Sequence, residues 1–211
     1  LKYTLDHEAE RLYTEEANRI AEIQKNILSV ANKEEAYDIF ICYKETDISG
    51  RRTMDSVLAQ DIYSQLTNEG YKVFFSRITL EDKLGAEYEP YIFAALNSAK
   101  IMLVVGTDRD NFNAVWVKNE WSRFLALSKK DKDKRIIPCY RDMDAYDLPE
   151  ELSMFQSQDM NKIGFMQDLL RGINKLLSSK AENPNTTAQQ VHDYKREADS
   201  MLKRAFLLLE D

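Results

Sequence analysis

Tyr37-Asp38-Ile39-Phe40-Ile41-Cys42-Tyr43 is the stretch on which the fold turns. Before it, Leu12, Ile20, Ile23, Ile27 and Val30 recur close to helical period in a polar background. From Tyr37 the period changes, and the apolar run reads as a buried strand ended by the polar loop Lys44 to Arg52. A helix is predicted from about Thr53 to Asn68, with Val57, Leu58, Ile62 and Leu66 apolar and Gly70 standing where a C-terminal cap would be. A strand from Tyr71 to Ser76 follows, then a polar loop through Gly85 and a helix to about Asn97. The strand Ile101 to Val105 ends at Gly106, and a loop leads to a helix carrying Trp116. Arg135 to Tyr140 reads as a fourth strand, Gln158 to Lys162 as a short fifth, and Phe165 to Leu177 as an amphipathic helix. Strands alternating with helices of roughly ten to sixteen residues call for a parallel sheet covered on both faces.

Around this core the chain divides further. Residues 1–35 are expected to form a helical extension, residues 36–178 the central domain and residues 179–188 a Ser/Asn/Pro-rich linker. Residues 189–211 are expected to form a second amphipathic helix, with Tyr194, Ala198, Met201, Leu202, Ala205, Phe206 and Leu209 on its apolar side. The chain begins with Leu1 and stops directly after the apolar run Ala205 to Leu209, so it is expected to be a piece of a longer protein, cut within a helical region.

Composition excludes several function classes. Of 211 residues, 44% are hydrophobic and 31% charged, as in ordinary globular proteins. A net charge of −7 argues against general nucleic-acid binding, which needs clustered Lys and Arg. The basic runs Lys44 to Arg52 and Lys129 to Arg135 are interleaved with acids and read as solvated loops. No apolar stretch approaches the roughly 20 residues that span a bilayer, and nothing resembles a signal peptide. A cytoplasmic location without membrane contact is the expectation. Two cysteines, Cys42 and Cys139, lie inside apolar runs and read as inert buried thiols in a reducing compartment. The two histidines, His7 and His192, sit in the flanks, so neither a metal site nor a Ser–His or Cys–His nucleophile is expected in the central domain.

The chemistry-bearing stretch is Asn113 to Leu127, NAVWVKNEWSRFLAL. Trp116 and Glu120 are four residues apart, which on a helix places an indole and a carboxylate on one face. Such a Glu is either a solvated surface charge or the working group of a site. In doubly wound sheets ligands bind beyond the C-terminal strand ends. The segments arriving there are Tyr43-Lys44, the loop after Ser76, Gly106-Thr107 and the helix bearing Trp116 and Glu120.

These residues resemble the TIR domain family. Tyr37 to Tyr43 is similar to the family's first box, an apolar strand opening on an aromatic-Asp pair and ending in Tyr. Val73-Phe74-Phe75-Ser76 with Arg77 to Glu87 occupies the place of the second strand and BB loop, and Ser98 to Val105 that of the third strand and its lead-in. Trp116-Val117-Lys118-Asn119-Glu120 resembles the Trp-x-x-x-Glu of NAD-cleaving TIR domains, the bacterial type fitting best. One departure concerns the BB loop: Arg77-Ile78-Thr79-Leu80-Glu81-Asp82 replaces the Arg-Asp and Pro-Gly signature of signalling adaptors.

The resemblance, covering about Glu35 to Leu177, implies a flavodoxin-like five-stranded sheet of order 2-1-3-4-5. It implies an NAD glycohydrolase of bacterial signalling or defence, with NAD as substrate and no further cofactor, releasing nicotinamide and either ADP-ribose or a cyclic ADP-ribose. Head-to-tail TIR–TIR association would complete the site. Glu120 is the implied catalytic carboxylate, and Tyr43, Lys44, Ser76, Arg77 and Trp116 the implied NAD-binding residues. Several alternatives stay open. Trp116 stacks on a substrate ring or packs in the core; Tyr43 lines the pocket or finishes its strand; Lys44 meets the pyrophosphate or ribose, or is a lone loop lysine. Glu87 and Glu89 are rival carboxylates, although acids beside Pro90 suit a helix N-terminus on dipole grounds alone. The competing functions are a non-catalytic TIR–TIR interaction module and an enzyme acting on another nucleotide or on nucleic acid. The flanks are similar to helical-repeat segments, but too short to set a period.

Overall fold

A computed structural model describes residues 36–76 and 89–178, with Asn18, Lys25 and Ser29 as isolated helical positions before them. The expected helical extension over 1–35 is therefore described only at those three residues. The linker at 179–188, the C-terminal helix at 189–211, Arg77 and Glu87 lie outside the described residues.

Five strands, β1 (Ile39–Tyr43), β2 (Val73–Phe74), β3 (Ile101–Gly106), β4 (Arg135–Tyr140) and β5 (Gln158–Asp159), form one parallel sheet of order β2-β1-β3-β4-β5. This is the flavodoxin-like order the sequence reading anticipated. The helices are α1 (Met54–Asn68), α2 (Glu89–Ser98), the short α3 (Arg109–Phe112), α4 (Val115–Lys130), the short α5 (Glu150–Ser153) and α6 (Phe165–Ser178). By Cα proximity the chain divides into two units, Leu1–Leu170 and Arg171–Asp211. The sheet belongs to the first, and the last turns of α6 are the described part of the second.

Every residue of β1 and β3 is buried, as expected for central strands covered on both faces. β2 is shorter than the predicted Tyr71 to Ser76. Its approach is used otherwise: Lys72 donates its backbone N–H to Asp38 Oδ2, and Tyr71 N–H closes the end of α1 on Leu66 O. Gly70, at φ +88°, donates to Thr67 O in the same cap, so the glycine read as a helix terminator sits in the left-handed conformation that role demands. At the other end of α1, Thr53 accepts from Ser56 N–H.

The expectation of a solvated loop from Lys129 to Arg135 holds only in part. Lys129, Lys130, Lys132 and Arg135 are exposed as solvated charges, Lys129 and Lys130 at the end of α4 and Arg135 opening β4 as predicted, but Lys134 departs from it. Lys134 is buried, and its ammonium donates to the carbonyls of Leu96, Asn97 and Ala99 at the end of α2, above the Phe124 ring. A helix C-terminus leaves such carbonyls unpaired and carries partial negative charge, which is why a cation is held there.

Candidate active site

α4 owes its position to an apolar lock at its N-terminus. Asp108 caps α3 by accepting from Asp110 N–H, and α3 ends on the fully buried Phe112. The Phe112 ring lies so close to β3 that a Cβ at Gly106 would sit 2.5 Å from it, so only glycine fits at the end of the strand. Trp121 Nε1 then donates to Phe112 O at 2.8 Å. Val117, Trp121 and Phe124 recur at helical spacing and form the buried face of α4. Trp121 is 1% exposed, whereas Trp116 is 59% exposed. Core packing is thereby assigned to Trp121, and Trp116 is left outside the core.

The stripe of α4 beside that buried face lines a groove of about 450 Å³ shared with α2. Trp116, Asn119, Glu120 and Arg123 line one side. Ile92, Phe93 and Leu96 supply an apolar wall from α2, with Glu89 at its start. The Arg123 guanidinium lies 3.9 Å from the Phe93 ring centroid, a cation–π contact between the two helices. The size and the mixture of apolar walls with a few polar groups are those of a small-ligand site.

Glu120 is the electrostatic outlier of this groove. Burial raises its pKa from the ordinary carboxylate range to about 7, opposed by a hydrogen bond from the Cys42 thiol. The neutral and ionised forms therefore coexist near neutral pH. A carboxylate short of donors at the edge of an apolar groove can stabilise a developing positive charge or move a proton. Cys42 is fully buried, and its own pKa is driven upward by burial and by Glu120, so it stays a thiol.

The other sequence-selected residues are placed differently. Tyr43 is buried and stacked on Phe75 at 4.9 Å, with its hydroxyl 3.4 Å from Ser76 Oγ. Lys44 Nζ donates to Asn111 Oδ1 at 3.0 Å, close enough to the buried Asp55 to favour its charge. Tyr43, Lys44 and Ser76 cluster at the end of β1 and are not among the groove-lining residues; Trp116 and Glu120 are. Of the rival carboxylates, Glu89 lines the groove. Sequence reasoning passed over Asn119, Arg123 and the α2 residues. The spacing of 116, 119, 120 and 123 marks one helical stripe, so the first two were legible; Phe93 became visible only once α2 was set beside α4. Among the described residues no group of three or more His, Cys, Asp or Glu is arranged to hold a metal, and no helix is long and apolar enough to cross a membrane.

Comparison with known proteins agrees with this fold. A family profile described as TIR domain matches residues 39–177. A structure of the TIR domains of the activated Roq1 resistosome, which recognises the pathogen effector XopQ, superposes with a TM-score of 0.50 at 12% identity, covering 65% of this chain and 99% of that one. A metazoan TIR-STING receptor from C. gigas gives 0.48 at 17% identity over 65% of this chain and 40% of the receptor. The same receptor bound to 2',3'-cGAMP gives 0.47 at 15% identity, over 65% and 39%. This chain thus spans about two fifths of the length of that receptor. No curated protein matches it.

Proposed function

The chain belongs to the TIR domain family, and from that premise we propose that it cleaves NAD+ between nicotinamide and ribose. The observation that carries the reading is Glu120: a partly desolvated carboxylate at a groove edge, one helical turn from an exposed indole. Nicotinamide departs with the electron pair of the C–N bond and leaves as a neutral molecule, so no acid is needed to protonate it. Ordinary glycosidases need two carboxylates; here one suffices, because its remaining task is to stabilise the oxocarbenium-like charge at the anomeric carbon and hold the ribose hydroxyls. Trp116 offers a flat apolar face for the nicotinamide or adenine ring. Attack at the anomeric carbon by water gives ADP-ribose, and attack by the adenine ring of the same molecule gives a cyclic product. Lys44, Tyr43, Ser76 and Arg77 are assigned to the far end of the dinucleotide, with a second copy of the domain completing the site. The biological setting proposed is bacterial signalling or defence.

Nicotinamide release by the purified chain at high protein concentration, with Glu120→Ala beside it, tests the reading. Release that disappears in the variant is expected. Equal release by both would remove Glu120 from the mechanism.

A second reading, a TIR–TIR interaction module without catalysis, is favoured by one observation. Ile48, Tyr146 and Ile163 are large apolar side chains almost wholly exposed and so available to a partner. Concentration-dependent assembly without nicotinamide release at any concentration would select it.

A further inference from the structure

Arg123 is the cation of the groove. Among the described residues that line it, Glu89 and Glu120 are acids and Arg123 alone is basic. The side chain is exposed, yet it does not trail into solvent: its guanidinium carbon lies 3.9 Å from the centroid of the Phe93 ring on the facing helix. Stacking holds a guanidinium by its face and leaves the N–H fork at its edge. Among the described residues no acceptor takes up those donors. Arg52 shows the contrary arrangement, its fork committed to Ser56 and Gln60 of α1.

The order of groups along α4 gives the groove a direction. Lys44, just past β1, donates to Asn111 of α3, and α3 leads directly to the first turn of α4, where Trp116 stands. Glu120 follows one turn later and Arg123 a further turn on, each step roughly 5 Å along the axis. A dinucleotide whose far end is held beside Lys44 therefore passes Trp116, presents its reactive ribose at Glu120 and ends at Arg123. The group at that end is nicotinamide.

We propose that Arg123 is a catalytic residue at the leaving-group end of the groove: held on Phe93, it donates to the carboxamide oxygen of nicotinamide and sets a positive charge beside the pyridinium ring. This rests on the reading of the groove as an NAD+-cleaving site. Before reaction the ring is a cation and Arg123 repels it. The bond between the anomeric carbon and the ring nitrogen breaks with both electrons going to nitrogen, so the ring leaves neutral and the positive charge passes to the sugar. Water adds to the anomeric carbon and gives up a proton to solvent; Arg123 exchanges none. Repulsion from Arg123 is relieved as the bond breaks, while attraction to Glu120 grows. Both differences favour the transition state over the bound substrate. Opposite charges one turn apart on α4 are thus aligned with the displacement of charge in the reaction.

Binding in the full chain at pH 8 reads the contact without turnover, through the NMR shift of the Trp116 indole N–H, assigned by its loss in Trp116→Phe. The probes are nicotinamide, 3-methylpyridine, which has the ring without the carbonyl, and 1-methylnicotinamide, which has the carboxamide on a cationic ring. Arg123→Met keeps the apolar stem and removes the fork and the charge. It is expected to weaken nicotinamide about tenfold, the size of a charged hydrogen bond, and to leave 3-methylpyridine within about twofold. The cation should weaken less than nicotinamide, because relieved repulsion offsets the lost hydrogen bond. Arg123→Lys should recover only part of the loss, since a point charge has no planar fork. Nicotinamide and 3-methylpyridine weakened alike, neither weakened, or nicotinamide that leaves Trp116 unmoved in the wild type would each overturn the assignment. In turnover, kcat for nicotinamide release should fall at least about tenfold in Arg123→Met. The two readings fail separately. Selective loss of nicotinamide binding in a chain that releases none upholds the carboxamide contact and overturns catalysis by Arg123 together with the enzyme. Release that continues unchanged in Arg123→Met keeps the enzyme and removes Arg123 from it.

Discussion

Two carboxylates of this domain are taken out of water, and the fold treats them oppositely. Asp55, in the first turn of α1, is fully buried, and its Oδ1 accepts from both the backbone N–H and the hydroxyl of Thr107 at 2.9 and 2.6 Å. Burial raises its pKa, and those donors, together with Asn111 and the Lys44 charge, pull it back. Glu120 keeps partial contact with solvent where Asp55 has none, yet burial still raises its pKa to about 7, and the single counterweight is a thiol. Asp55 ties α1 to the end of β3 and has its charge absorbed by the fold. Glu120 keeps its charge unanswered at the edge of a groove. A carboxylate that holds structure together has one oxygen tied by two donors, as Asp55 Oδ1 has; one with a lone weak donor is available to a ligand.

The largest effect expected from this contrast is on turnover. Glu120→Gln should lower NAD cleavage by about a hundredfold to a thousandfold, the usual result of removing a charge-stabilising group. The same variant should be more stable at pH 8 by about 1–3 kcal/mol, because the cost of holding an anion there is gone. A chain equally active or less stable after the change would erase the distinction between the two sites. Next comes Asp55→Ala, expected to cost about 1–3 kcal/mol in denaturant unfolding by leaving the partly buried Thr107 N–H and hydroxyl without their acceptor. Asp55→Asn, which keeps an acceptor oxygen, should cost less; equal losses would mean that charge and not hydrogen bonding matters at Asp55.

The pH dependence follows from the sign of the shift at Glu120. Its folded pKa of about 7 lies above the ordinary 4.5, so its contribution to stability is fully present below about 4.5 and is lost as pH rises through 7. Activity runs the other way, since the ionised form is the useful one. kcat/KM should rise with pH to a plateau above 7 and stand about tenfold lower at pH 6. An inflection near 4.5 would show Glu120 to be solvated like a surface acid. The smallest effect is expected at Glu89, on the same groove: Glu89→Gln should leave turnover within about threefold, because an acid at a helix start answers first to the dipole. Complete loss there would make Glu89 the working carboxylate.

Much of this was legible beforehand. The uninterrupted apolar residues of Ile39 to Tyr43 and Ile101 to Val105 could only be strands covered on both faces, and Gly70 marked the end of α1. The stripe from Trp116 to Arg123 is written in helical period. The short α3 and α5 went unread, since four residues carry no period. Lys134 went unread because its partners, the carbonyls of Leu96, Asn97 and Ala99 at the end of α2, are more than thirty residues away.

Sequence by itself determined the alternation of strand and helix, the helix terminators and the shared face of Trp116 and Glu120, because each is a matter of neighbours along the chain. The tertiary structure decided the rest. It chose which tryptophan is core, by seating Trp121 on the Phe112 carbonyl. It turned the Cys42 thiol, by every local sign that of an inert strand residue, onto the Val117 carbonyl of α4, and it set the apolar wall of α2 beside Glu120. A pKa depends on how much water is excluded and which donors remain within reach, and both are fixed by residues distant in sequence that only folding brings together.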